Sequence, residues 1–289
     1  MKKLLPCLLA FLLLLCLPAL AEEEEAEEHL SGDYSYVVLE DGTAEITEYS
    51  GSDDVLEIPS ELDGLTVTSI GDIAFSWCSS LTAVTIPDSI TSIGDFAFFR
   101  CTSLRAVAIP DNITSIGDNN PFAVCTNLKE IYVSIEHPYL VTIDGVLFSK
   151  PDMRLICYPC GLKAKEYAIP QGVQIISNYA FDYCSSLTKV TIPDSVTSIY
   201  EGAFSFCRSL TEVTIPDNIT AIGAFAFYDC LSLTEITIPD SVTNIGENAF
   251  YHCPDSLTVT VEHDSYAVQY CKDNGIKYIY PDTYDWLNG

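Results

Sequence analysis

The chain has 289 residues, with 41 acidic against 13 basic side chains and a formal charge of −28; its pI lies near 4.1. Such a balance repels phosphate backbones and anionic headgroups, which argues against nucleic acid as a partner. The sequence contains no P-loop, no dinucleotide-binding glycine fingerprint and no G-x-S-x-G elbow, so it is read as non-enzymatic and cofactor-free.

Residues 1–21 have the three parts of a secretory signal. Lys2 and Lys3 are the basic start, Leu4 to Leu17 the apolar run, and Ala19-Leu20-Ala21 the small-residue cleavage site. No second long apolar run follows, so a secreted or cell-surface location is expected, with no membrane span once the leader is cleaved. Residues 22–32 begin with a block of acids that repels itself and buries nothing, and they are read as a disordered spacer.

Residues 33–68 are predicted to form an N-terminal β cap and the first rung of a stack. Tyr34, Tyr36 and Val38 alternate with Ser35, Val37 and Leu39, Asp41-Gly42 makes a turn, and Ala44 and Ile46 continue the alternation. From 69 to 258 one segment recurs every 23 residues: LTKVTIPDSVTSIYEGAFSFC from Leu187 to Cys207, then LTEVTIPDNITAIGAFAFYDC from Leu210 and LTEITIPDSVTNIGENAFYHC from Leu233. Two more copies lie upstream, at Leu81–Cys101 and, with one extra residue, at Leu104–Cys125. A fixed period of this length with an L-x-x-L-x-L pattern predicts a leucine-rich-repeat solenoid. Its parallel sheet lies on one side, with short strands and helical turns on the other. In each rung Leu187, Val190 and Ile192 (or their equivalents) point inward from the sheet, Pro193-Asp194 ends the strand, and Val196, Ile199, Ala203, Phe204 and Cys207 fill the back.

The period breaks between Cys125 and Cys184. An insert at about 134–166 contains the hairpin Val141-Thr142-Ile143, Asp144-Gly145, Val146-Leu147-Phe148 and a third strand, Met153 to Tyr158. It is expected either to bulge from the solenoid or to replace part of a rung. Residues 259–280 are predicted to form a helix–strand C-terminal cap, with the helix Tyr266–Asn274 stopping at Gly275, followed by a tail at 281–289.

The repeat C-x-x-L-x-x-V-x-I-P-x-x-I/V-x-x-I-G-x-x-A-F-x-x-C resembles the BspA-like class of bacterial leucine-rich repeats over roughly residues 33–280. The segment Asp144-Gly145-Val146-Leu147-Phe148 and the end cap Ser265 to Tyr278 resemble features of that class. The resemblance implies a secreted or surface-bound protein of a group in which some members adhere to host matrix or other cells. It carries over no functional residue.

Of the twelve cysteines, seven (Cys78, Cys101, Cys125, Cys184, Cys207, Cys230, Cys253) share one repeat position. In-register neighbours keep their Cβ atoms about 4.8 Å apart along a ladder, wider than the roughly 3.8 Å of a bridge. A column of buried thiols is therefore favoured over a disulfide ladder, and Cys157 and Cys160 are read as a local disulfide or two unrelated thiols. Asp88, Asp111, Asp194, Asp217 and Asp240 form an acidic column. Two such charges repel by about 0.9 kcal/mol in water, so no metal is needed to hold them together. The four histidines, His29, His137, His252 and His263, form no recognisable relay.

Two surfaces remain for binding. The outward sheet face is dominated by threonine, which is also good strand chemistry, and Arg105, Lys129, Tyr132 and Lys189 interrupt it. These four are the candidate ligand contacts. The back turns carry Trp77, Phe99, Tyr183, Phe206, Tyr228 and Tyr251, expected to lie over neighbouring turns rather than to form a contact stripe. The functional expectation is a secreted or surface-exposed binding or adhesion protein for a protein or glycan, including host extracellular matrix or another cell surface. The alternative is a structural or scaffolding module of a cell-envelope assembly without a soluble ligand.

Overall fold

Each repeat has room to bury one face only, so the rungs must stack, and the way they stack decides the architecture. Residues 27–281 are described by the structure, a computed structural model; the leader, most of the acidic block and the tail from 282 lie outside the described residues. Front strands Val55–Glu57, Ala83–Thr85, Ala106–Ile109 and Glu130–Val133 pair in parallel, each with the next. After the insert, Glu166–Ala168, Lys189–Thr191 and Glu212–Thr214 resume the front face, followed by Glu235–Ile238, Thr258–Val261 and Lys277–Ile279. The back side consists of two-residue strands, such as Ser92–Ile93 and Ser198–Ile199, also parallel and in register with their neighbours.

Tight turns join back to front, and these turns continue the ladder. The residue before each Ala-Phe pair and the residue before each repeat-position cysteine take left-handed backbone angles, among them Phe96, Tyr179, Phe225, Trp77, Arg100, Tyr183 and Phe206. For a bulky side chain that conformation is unfavourable. Here it turns the amide along the stack. Tyr179 N donates to Glu201 O (2.9 Å), Phe181 N to Ala203 O (2.8 Å), and Tyr183 N to Ser205 O (3.0 Å), so alternate amides of one turn reach the next rung. The local cost is offset by hydrogen bonds that would otherwise be missing. At Gly246 the rungs approach so closely that a Cβ would lie 2.2 Å from Ala224 N, although the equivalent position holds Ser177 and Tyr200 in two other rungs.

Inside, the phenylalanines stack ring on ring. Phe75, Phe98 and Phe122 follow one another at 5.1 and 5.6 Å, and Tyr158, Phe181, Phe204, Phe227 and Phe250 form a second column at 4.9–5.3 Å. The interior is correspondingly divided into two hydrophobic cores. The wall between them is the insert. Val146–Ser149 pairs antiparallel with Leu140–Ile143 and with Arg154–Cys157, and Arg154–Cys157 pairs in parallel with Ile175–Ile176. The insert therefore replaces the back strand of a rung rather than bulging from the solenoid. Alternation sends Leu147 into the N-terminal core and Val146 and Phe148 into the C-terminal one. On the partner strand Leu155 joins the C-terminal core, while a register shift between Leu147 and Phe148 leaves the adjacent Ile156 and Cys157 both in the N-terminal one. Val146–Ser149 is buried at every position, as a strand covered on both faces must be.

Three sequence expectations change. Glu28–Ser31, placed in the disordered spacer 22–32, is a strand paired antiparallel with Tyr34–Val38. A turn at Gly32 (φ +61°) and stacking of His29 on Tyr36 order it, so the cap is a three-stranded meander. Cys184, expected as one of seven free thiols, is bonded to Cys160. Cys157, the nearer cysteine in sequence, faces the other core and stays free. The register argument against disulfides does not apply to Cys160, because that residue comes from the 3₁₀ turn Cys160–Leu162 and not from the repeat position. The Cα atoms stand 4.6 Å apart, within bridging range. In the rest of the column five thiols, those of Cys101, Cys125, Cys207, Cys230 and Cys253, donate to the carbonyl of a phenylalanine one rung back, as Cys101 does to Phe75 O and Cys207 to Phe181 O, both at 3.1 Å.

The C-terminal cap has the expected form. The helix Tyr266–Asn274 buries Ala267, Val268, Tyr270 and Cys271 and ends at Gly275 with φ +68°. Lys277–Ile279 then pairs in parallel with Thr258–Val261. Among the described residues no helix is long and apolar enough to cross a membrane.

Phe204 is fully buried between Phe181 and Phe227. Phe204→Ala is expected to cost about 3–5 kcal/mol, measured by denaturant unfolding followed by circular dichroism; a loss below about 1 kcal/mol would show that the ring column contributes little.

Candidate functional site

On the front face the strands present alternate side chains outward, and threonines at the strand starts are engaged by the fold itself. Thr188 Oγ1 donates to Lys165 O and Thr211 Oγ1 to Thr188 O, both at 3.0 Å. These threonines hold one rung to the next. The sequence-predicted residues behave differently from one another. Arg105 and Lys129 sit on neighbouring rungs, with Lys129 N donating to Arg105 O (2.9 Å). Both are exposed, and among the described residues no carboxylate stands within ion-pair distance of either. Tyr132 projects from the strand beside them, 56% exposed, with its hydroxyl donating to Glu130. Ile135, on the loop that follows, is 90% exposed.

Lys189 is not part of this group. It lies beyond the insert on another sheet, between Glu166 and Glu212 in the ladder. Its Nζ is 2.6 Å from Glu212 Oε1, and the hydrogen bond and charge of Glu212 raise its pKa. The structure thus brings three of the four candidates together and neutralises the fourth.

The turn side contains a feature that the sequence reading missed. Phe96, Phe99 and Arg100 of one turn face Tyr179, Asp182 and Tyr183 of another across the lower turn Asn120–Cys125, whose Val124 lines the floor. The result is a groove of about 520 Å³, extended by Phe206, Phe225 and Tyr228. Phe96 meets Tyr179 edge to face at 5.0 Å across the junction. The Arg100 guanidinium lies 4.4 Å from the Trp77 ring and 5.8 Å from that of Tyr183. Some of the expected stacking is present, as Tyr183 lies on Phe206 at 4.3 Å. The groove arises because Ala123 and Val124 stand where other rungs carry Phe99-Arg100 or Asp182-Tyr183. Those two small residues were the only sequence signal.

Two buried ionisable groups have structural explanations. His137 is fully buried; its Nδ1 accepts from Tyr139 N and Leu140 N, and Nε2 is 3.1 Å from Pro110 O. Burial lowers its pKa, and the ring serves as a neutral clasp for the loop before the insert. Asp182 lies in the groove wall, 5% exposed, with Ser205 Oγ 2.5 Å from Oδ1. The Ser205 hydroxyl is the donor to the carboxyl, and it also lies 2.8 Å from Gly202 O, so its one proton is shared between two acceptors. Burial pushes Asp182 up to about 7, against the opposing pull of the Ser205 bond and the Arg100 charge. The aspartate column is spaced by asparagines: Asn112 Nδ2 donates to Asp88 O and Asn218 Nδ2 to Asp194 O, each at 2.6 Å. Among the described residues no three His, Cys, Asp or Glu side chains gather as a metal cage.

Because Asp182 holds its proton more tightly folded than unfolded, its contribution is complete below about pH 4 and is lost as pH rises through about 7. Asp182→Asn is therefore expected to stabilise the protein at pH 8 by up to about 4 kcal/mol and to change little at pH 4. Thermal melts at the two pH values test this, and equal melting temperatures for variant and parent at pH 8 would contradict it.

Comparison with known proteins agrees with this architecture. The chain matches the BspA type leucine rich repeat region in six copies, over residues 56–164 and 153–273. A leucine-rich cell surface protein of Faecalibacterium prausnitzii is similar in structure, at 25% identity and a TM-score of 0.54, over 88% of this chain and 98% of that one. A leucine-rich repeat protein of Bacteroides ovatus is 26% identical, with a TM-score of 0.50, over 87% of this chain and 67% of the other. The pneumococcal vaccine antigen PcpA shares the fold at 22% identity and a TM-score of 0.51, over 82% of each chain. No curated protein matches this sequence.

Proposed function

This chain belongs to the BspA-type leucine-rich repeat family, and on that premise we propose that it is a secreted or surface-exposed binding protein that recognises a protein or glycan through its front face. The reading rests on one observation: Arg105 and Lys129 stand side by side without carboxylate partners, next to exposed Tyr132 and Ile135, on a rigid sheet of a molecule with a charge of −28. Lys189, by contrast, is drawn to Glu212. Two left free beside an aromatic and an aliphatic side chain make a contact patch of the composition that protein interfaces favour. The similarity to a cell surface protein supports the location. Binding, rather than catalysis, is what a surface of this kind performs.

The patch is tested by the paired substitution Arg105→Glu with Lys129→Glu in the purified chain, assayed on matrix-coated surfaces, on cells and on a glycan array. Binding at least tenfold weaker than the parent is expected, while Lys189→Gln leaves it unchanged. Equal binding by the paired variant, or loss with Lys189→Gln alone, would refute the assignment.

A further inference from the structure

The turn-side groove lies apart from the front-face patch, and its chemistry points to a different ligand. Its walls are aromatic, its floor is Val124, and its charged groups are Arg100 and Asp182. Asp182 is engaged with Ser205. Arg100 is not engaged in this way: its Nε is buried without an acceptor, and among the described residues its guanidinium makes no ion pair. Arg154 and Arg208 are by contrast held by Asp118 and Asp229, and Lys150 by His137 O. A guanidinium that stacks on Trp77 and Phe99 gains from the ring faces, yet its donor fork is matched only by an anion or another acceptor.

We infer that the groove is a binding site for a small amphipathic anion, an apolar body bearing a single carboxylate or sulfonate. The body lies over Val124 between Phe96 and Phe99 on one side and Tyr179 and Phe206 on the other, and the head accepts from Arg100. The size of the groove, about 520 Å³, is that of a small-molecule site. The surrounding charge narrows the class. A polyanion would meet one cation and a surface of −28, and a neutral sugar would bury hydroxyls against rings that offer them few partners. One anionic group on an apolar body satisfies both limits.

The probes are 2-naphthylacetate and its uncharged amide, titrated calorimetrically into the full chain. The acid is expected to bind at least tenfold more tightly than the amide. Arg100→Met removes that preference by weakening the acid to the level of the amide, and Val124→Trp, which fills the floor, abolishes both. The front-face variant carrying Arg105→Glu and Lys129→Glu leaves both titrations unchanged, so this site and the front-face patch stand or fall separately. Failure of the acid to bind, equal affinity for acid and amide, or an undiminished acid preference in Arg100→Met overturns the inference. If Arg100→Met does not fold, as judged by circular dichroism, the acid–amide comparison and Val124→Trp decide the question.

Discussion

Everything in this molecule depends on the chain advancing by a constant 23 residues per rung, which places each inward side chain and each turn amide against its equivalent. Where the advance holds, from Ser177 to Cys253, the amides of Tyr179, Phe181 and Tyr183 find carbonyls at 201, 203 and 205, and the rings of Phe181, Phe204, Phe227 and Phe250 lie on one another. Where it fails, the solenoid must be restarted. The extra residue in the Gly117–Cys125 turn brings Asn119 and Asn120 against Asn178, some 60 residues on, and the chain between them closes one core and opens another. The two-faced strand Val146–Ser149 does both at once, because alternation gives it an apolar side chain for each core.

The repeat was legible because its inward positions are chemically monotonous. Leucine, valine, isoleucine, phenylalanine and cysteine recur at fixed spacing, and each inward position so identified is buried in the rungs from Leu187 to Ala249. The insert was legible as a hairpin from Asp144-Gly145, whose left-handed angles (φ +51° and +82°) the turn requires. Its role as a partition was not, since nothing in VLF or LIC states which core each side chain will face. The Cys160–Cys184 bond was hidden for a similar reason. Spacing pairs Cys160 with Cys157, whereas the strand carries Cys157 into one core and the following turn brings Cys160 to the other. Glu28–Ser31 was overlooked because acidic composition masked a strand whose order comes from its partner.

The candidate surfaces show the same division. Arg105, Lys129 and Tyr132 stand out in the sequence as departures from a threonine pattern, and the fold gathers them on adjacent rungs. Lys189 stands out equally, but its neighbours in space, Glu166 and Glu212, are 23 residues away on either side. The groove is the opposite case: it is made by what is missing. Ala123-Val124 is an unremarkable pair until the turns on either side are seen to carry Phe99-Arg100 and Asp182-Tyr183. Both surfaces trace back to the interruption, which ends one front sheet at Glu130–Val133 and lowers one turn on the back.

The partition of the interior by the insert is most directly tested by hydrogen exchange on the single-site variants Leu147→Ala and Phe148→Ala, adjacent residues on opposite faces of one strand. Leu147→Ala should speed exchange mainly in the N-terminal core, at Leu65–Ile70, Ala83–Thr85 and Ala106–Ile109. Phe148→Ala should do so mainly in the C-terminal core, at Ile175–Ile176, Lys189–Thr191 and Glu212–Thr214. Indistinguishable exchange patterns for the two variants would contradict a two-core solenoid divided at this strand.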